Sequence, residues 1–189
     1  MIHQHELKAN DVHAYTLEML KEHLKIKVDG YICKTDMILN VLIKASAENS
    51  SLEAACGDLE ETADSNTIRE YLNEALPIKE LREQEKQVNK VLACGTPADL
   101  VRTDIEVALD FHDEPFYGKQ AGTRQVTCAG QAKKGTTHFV RIATAYIIWR
   151  QVRLTLAVRY VLPEDETLEI LKFLLQRLKK LGFKAKVLY

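Results

Sequence analysis

Near residue 100 the hydrophobic period of this chain changes from that of a helix to that of a strand, which confines it to folds with a helical part followed by a sheet. Before that point apolar residues recur three and four apart. In residues 10–27, Leu17, Leu20 and Leu24 do so, and Gly30 ends the segment. Thr35 can cap a second helix carrying Met37, Leu39, Val41, Leu42 and Ile43. Ser50 with Glu53 reads as a capping box opening a short helix, SLEAACGDL. The stretch EETADS breaks it, Asp64 or Ser65 caps a fourth helix, NTIREYLNEAL, and Pro77 stops that one. Residues 78–94 are polar and helical, with Leu81, Val88, Val91 and Leu92 as the apolar minority. The run CGTPADL marks a boundary, so the expected units are 1–97 and 98–189.

Beyond it, Ile105, Val107 and Leu109 alternate with Glu106, Ala108 and Asp110, which predicts a strand with Asp110 on the face opposite the aliphatic stripe. Residues 112–135 read as a loop rich in glycine. THFVRIATAYIIW is a second strand and VRLTLAVRYVL a third, joined tightly around Gln151 as an antiparallel hairpin. Pro163 and three acids open a helix whose core face is Leu168, Leu171, Leu174, Leu175, Leu178 and Leu181, closed by Lys179, Lys180 and Gly182. FKAKVLY begins a fourth strand, parallel to the first. The expected fold class is α+β or α/β: a helical bundle, then a β-β-β-α-β unit.

Composition is that of a chain able to bury a core: 46% of 189 residues are hydrophobic and 28% charged. No apolar run approaches the roughly 18 residues that span a bilayer, and the start has no secretory h-region, so the expected compartment is the cytoplasm, with no membrane partner. Cys33, Cys56, Cys94 and Cys128 are too far apart for a C-x-x-C pair and read as inert thiols. The net charge of -1 hides an asymmetry: residues 1–100 carry 11 Lys and Arg against 18 acids, residues 101–189 carry 15 against 9. Any surface for a polyanion belongs mostly to the second half. His3, His5, His13 and His23 lack the i, i+4 spacing of a helical metal pair. His112 and His138 read either as surface residues or as phosphate contacts.

The chemically informative run is ALDFHDEPFYGK, residues 108–119. A carboxylate at the end of a buried strand needs a cation or a metal beside it. Asp110 has the type and position for two-metal phosphoryl transfer, in which acids hold two ions about 3.5–4 Å apart. It can equally be an acid that caps the loop.

The runs LDFHDEPFYGK, KKGTTHFVRIATAYII and VRLTLAVRYV together resemble the catalytic-domain start of DDE-type insertion-sequence transposases, in the branch common in archaea and cyanobacteria. The matching residues are Asp110, Asp113, Pro115, Tyr117, Gly118 and Lys119; then Gly135, Thr136, Phe139, Ala143 and Thr144; then Leu154 to Val158. The resemblance covers roughly residues 60–189. It implies an RNase H-like domain that binds two Mg²⁺ or Mn²⁺ through an Asp-Asp-Glu triad, cuts one DNA strand with water and positions the terminal 3′-hydroxyl to attack a phosphodiester of target DNA. Asp110 is the triad member that carries over, as catalytic residue and metal ligand. The second Asp of the family follows a V-L-Y like Val187-Leu188-Tyr189, and the Glu comes later. This chain therefore reads as the N-terminal portion of a transposase. Hard divalent ions want about six oxygen ligands each, so the chain by itself is expected not to cleave DNA.

A terminal-repeat-binding module would suit such a protein, and the spacing of the two helices in residues 51–76 is that of a helix-turn-helix. In that reading Asn66, Thr67 and Arg69 reach base edges. Against it, residues 46–76 hold one basic residue, Arg69, and eight acids; a structural or dimerising bundle is the other reading. Lys119, Arg124, Lys133, Lys134, Arg141, Arg150, Arg153 and Arg159 gather around the long loop and hairpin. Lys119, Lys133 and Lys134 are the candidates for double-stranded DNA, with Tyr117 or Phe116 stacking a base. Homo-oligomers, or mixed oligomers with a full-length transposase, are the other expected partners.

Overall fold

The structure is a computed structural model that describes residues 7–101, 104–118 and 125–188. Among these residues it is mixed α+β, with six α-helices and a five-stranded, mostly antiparallel sheet. The chain divides into two compact units, Met1–Glu80 and Leu81–Tyr189.

The first unit holds α1 (Ala9–His23), α2 (Thr35–Ala47), α3 (Leu52–Asp58) and α4 (Ser65–Ala75). Its core joins Ile38, Leu39 and Val41 of α2 to Ala55 of α3 and Ile68 of α4. The first helix stops at His23, short of residue 27 where the sequence extends it. Ile26 and Val28 would stand about 200° apart on a helix, whereas in an extended segment both face one side. Both are buried in this core. The extended backbone is held by Thr35, whose Oγ1 accepts from the Val28 N–H at 2.9 Å. The cap of α3 is Ser51, one residue later than expected, accepting from the Ala54 N–H at 3.1 Å. Asp64 caps α4, accepting from Asn66 and Thr67 N–H groups.

The second unit holds α5 (Leu81–Cys94), β1 (Asp104–Pro115), β2 (Cys128–Lys133), β3 (Thr136–Trp149), β4 (Val152–Val161), α6 (Thr167–Lys180) and β5 (Lys184–Leu188). β3 is the spine of the sheet. β1 runs antiparallel along one of its edges, and β5 adds to β1 in parallel through the α6 crossover. β2 and β4 both pair antiparallel with β3. The β2–β3 and β3–β4 turns are two-residue loops with positive φ at both positions, Lys134 and Gly135 in one, Arg150 and Gln151 in the other, the geometry that matches strand twist. Ile170, Leu174 and Leu178 of α6 pack on Val107, Ala143, Ala145 and Leu156 of the sheet.

Three expectations from the sequence are corrected here. Residues 112–115 are strand, because β3 is long enough to pair with them as far as Pro115↔Phe139. Residues 128–133, read as loop, are β2. The unit boundary falls at 80/81 and not at 97/98, because α5 belongs with the sheet. Its side chains serve the outer edge of β4. Asn89 Nδ2 donates to the Val158 carbonyl at 2.8 Å and Asn89 Oδ1 accepts from the Val158 N–H at 3.1 Å. Glu85 accepts from the Tyr160 N–H at 2.8 Å, and Arg82 donates to the Tyr160 carbonyl at 2.6 Å. A helix thus satisfies backbone groups that would otherwise offer a template for another strand.

Candidate functional site

β1 sorts its side chains by parity. Ile105 and Val107 are buried on the face that α6 covers, while Asp110 is half-exposed on the other face, as alternation predicts. Asp110 is not at the strand's end: β1 continues for five residues, so the carboxylate lies within the sheet, opposite Thr144 of β3. Arg153 of β4 reaches it across the same face. The Arg153 Nη2 to Asp110 Oδ2 distance is 3.6 Å, the Nη2 to Thr144 Oγ1 distance is 3.3 Å, and the guanidinium lies 3.7 Å from the centroid of the Tyr146 ring. The cation that a carboxylate on a sheet calls for is therefore an arginine here. His112, two residues on along the same face, shares a 2.6 Å hydrogen bond with Glu114, and both are exposed.

Asp113 belongs to the opposite face and lies on the strand, not beyond it. Arg141 Nε and Nη2 bind its two oxygens at 2.6 and 2.9 Å, a fork-to-fork pair. Those hydrogen bonds hold the Asp113 carboxyl below its ordinary range, and the same pairing raises Arg141. Beside Arg141 is a cavity of about 340 Å³ walled by Phe111, Val161, Pro163 and Ile170. Cys128 lines it too, and burial pushes its thiol above the usual value, away from nucleophilic use.

Lys133 and Lys134 are exposed at the β2–β3 turn. Tyr117 joins them: its hydroxyl donates to the Lys134 carbonyl at 2.7 Å, and the Phe116 N–H donates to His138 O at 2.9 Å. The structure thus brings Tyr117 and the two lysines into one exposed hairpin tip, while Lys119 and Arg124 lie outside the described residues. In the first unit Asn66, Thr67 and Arg69 open α4. Thr67 Oγ1 donates to Asp64 at 2.8 Å, and Arg69 Nη1 donates to Ser65 Oγ and Asn66 Oδ1, each at 3.1 Å. All three side chains are engaged within their own helix turn.

Arg153 as the partner of Asp110 was not legible in the sequence, which gave only its place in a basic group. The pairing needs the β3–β4 register, which slips by one residue at a bulge between Ala145 and Tyr146. Among the described residues no three His, Cys, Asp or Glu side chains gather as a metal ion requires. Glu106 shares the face of Asp110 but lies about 13 Å along the strand, and Asp113 is committed to Arg141. These residues alone do not fit a two-ion centre. Among the described residues no helix is long and apolar enough to cross a membrane. Comparison with protein-family models, with curated proteins and with solved structures finds no significant match to this chain.

Proposed function

We propose that this chain is part of a DDE-type transposase: a helical domain followed by the opening strands of an RNase H-like domain, acting on double-stranded DNA in transposition. The observation that carries the reading is the setting of Asp110. It stands half-exposed on β1 opposite Thr144 of antiparallel β3, three residues past Val107, where the parallel pairing of β1 with β5 ends, and α6 is the crossover. That order supports an RNase H-like sheet, and it puts the acid of the LDFHDEPFYGK run on the inner strand with its side chain toward solvent. The basic hairpin tip with Tyr117, farther along the same sheet, supports a nucleic-acid surface on this unit.

Strand cleavage and transfer with Mg²⁺ or Mn²⁺ is the activity the reading assigns to an assembly that supplies further carboxylates. Asp110 with Arg153 at its side does not make such a centre. The same ion pair favours a second reading, a non-catalytic DNA-binding or dimerising relative of a transposase that occupies element ends or forms mixed oligomers. In the first unit, α3 and α4 have helix-turn-helix spacing, and Asn66, Thr67 and Arg69 are its candidates for base contacts, against the acidity of their surroundings.

The test is DNA binding by the full chain as salt is raised. Phosphate contacts make log affinity fall linearly with log salt, with a slope near -0.9 per contact. Binding that weakens in this way supports both readings, and affinity absent at low salt removes the first reading and the DNA-binding form of the second. A nicking assay with Mn²⁺ separates them. The chain alone is expected to leave supercoiled DNA intact, and nicking abolished by Asp110→Ala would show a complete catalytic centre.

A further inference from the structure

Arg153 holds Asp110 loosely and rests on neutral groups. Its 3.6 Å approach to the carboxylate is outside hydrogen-bond range, while the stack on Tyr146 and the contact with Thr144 are closer to ideal. Both charged side chains are about half exposed, Arg153 at 49% and Asp110 at 47%, so water screens their attraction. A guanidinium lying on a ring keeps its planar fork turned outward, and that fork matches the paired oxygens of a phosphodiester. A backbone phosphate reaching this face would compete with Asp110 for the one cation and could accept from its fork at hydrogen-bond distance.

We propose that Arg153 is an exchangeable counter-ion: duplex DNA at the half-exposed face of the sheet that carries Asp110 draws its guanidinium from Asp110 to a backbone phosphate, and Asp110 holds it back in the absence of DNA. The proposal rests on the DNA-binding reading above and assigns regulation to the same site. Tyr146 and Thr144 are the positioning residues, keeping the guanidinium in the plane where either acceptor can take it. Asp110 then tunes DNA affinity without touching DNA.

A double-mutant cycle on the full chain tests this, with fluorescence anisotropy of a labelled mixed-sequence duplex as readout and circular dichroism to establish that each variant folds. Asp110→Asn is expected to tighten binding by about fivefold. Arg153→Gln is expected to weaken binding and to reduce the salt slope by about 0.9. With Arg153→Gln in place, Asp110→Asn should change affinity by less than about twofold, because the group it released is gone. An equal gain from Asp110→Asn with and without Arg153 would mean plain charge repulsion and overturn the exchange. A wild-type chain that shows no salt-dependent affinity for the duplex defeats the underlying reading, and the exchange with it. If Arg153→Gln does not fold, Arg153→Lys replaces it. The lysine keeps the charge but lacks the fork, so the salt slope should stay while the response to Asp110→Asn shrinks; an undiminished response overturns the proposal.

Discussion

Asp110 and Asp113 lie three residues apart on β1, and an odd spacing on a strand sends them to opposite faces. One meets an arginine at 3.6 Å in half-exposed surroundings; the other is gripped by two guanidinium nitrogens at 2.6 and 2.9 Å. The difference governs what each contributes. The Asp113 carboxyl is held below the ordinary carboxylate value, chiefly by the hydrogen bonds from Arg141. A lowered folded-state value means that the folded chain binds fewer protons than the unfolded one in the interval between the two values. The pair's contribution is therefore complete above the unfolded carboxylate value, about 3.9, and drains away as pH falls through the lower folded value. The Asp113 side chain is about one-third exposed, so solvent limits its worth to about 1 kcal/mol. Asp113→Asn is expected to cost about that much at neutral pH. The gap between wild type and variant should close on acidification below pH about 4, as followed by urea titration across pH. A gap of constant size down to pH about 2 would show that the pair contributes through packing and not through charge.

At the level of elements, the least ordinary arrangement is α5 on the edge of β4. Its three most buried residues are Glu85, Gln87 and Asn89, while apolar Leu81, Val88 and Leu92 are only half-buried. Glu85 bridges Arg82 and Arg159, each at 2.9 Å, as well as the Tyr160 N–H. Removing Glu85, itself almost fully buried, orphans the Tyr160 N–H and leaves Arg82 and Arg159 with Asp165 as their remaining carboxylate. Glu85→Ala is therefore expected to destabilise by about 3 kcal/mol, and Asn89→Ala by about 2 kcal/mol through the orphaned Val158 amide groups. Both should also promote self-association, seen by light scattering, because the β4 edge becomes available to another strand. Destabilisation of Glu85→Ala below about 0.5 kcal/mol would mean that water replaces the carboxylate at that edge. The same arrangement marks where sequence reasoning runs out. Periodicity located α4, α6, β3, β4 and the face of Asp110, but it put exposed Leu168 on the core face of α6 in place of buried Ile170, and it did not see the bulge that buries both Leu156 and Ala157 of β4. It missed β2, whose residues CAGQAK are small or polar and exposed beyond Cys128, so that only the free edge of β3 makes them a strand. It also placed α5 with the helices, because a polar face buried against backbone looks, in sequence, like a face in water.

Across the whole molecule the charge follows the structural division. Residues 1–80 carry 8 Lys and Arg against 15 acids, and residues 81–189 carry 18 against 12, so the helical unit is at -7 and the sheet unit at +6. Phosphate repels the first and attracts the second. On the sheet unit exposed basic residues sit at a turn: Lys133, the last residue of β2, and Lys134, in the two-residue turn that follows, beside exposed Tyr117. In the helical unit the candidate contacts are bound to one another, and Arg69 must leave Ser65 and Asn66 before it can reach DNA. The sheet unit should therefore supply most of the non-specific affinity. Lys133→Ala with Lys134→Ala is expected to lower affinity for mixed-sequence duplex and to reduce the salt slope by about 1.8, two contacts at 0.9 each. Tyr117→Ala should weaken binding of single-stranded DNA more than of duplex, since a base must be unpaired to stack on the ring. Arg69→Ala should leave the slope on mixed-sequence duplex within about 0.3 of wild type. If Arg69→Ala instead removes as much of the slope as the lysine pair, the acidic unit is the one that grips the backbone, and the division of labour by net charge is wrong.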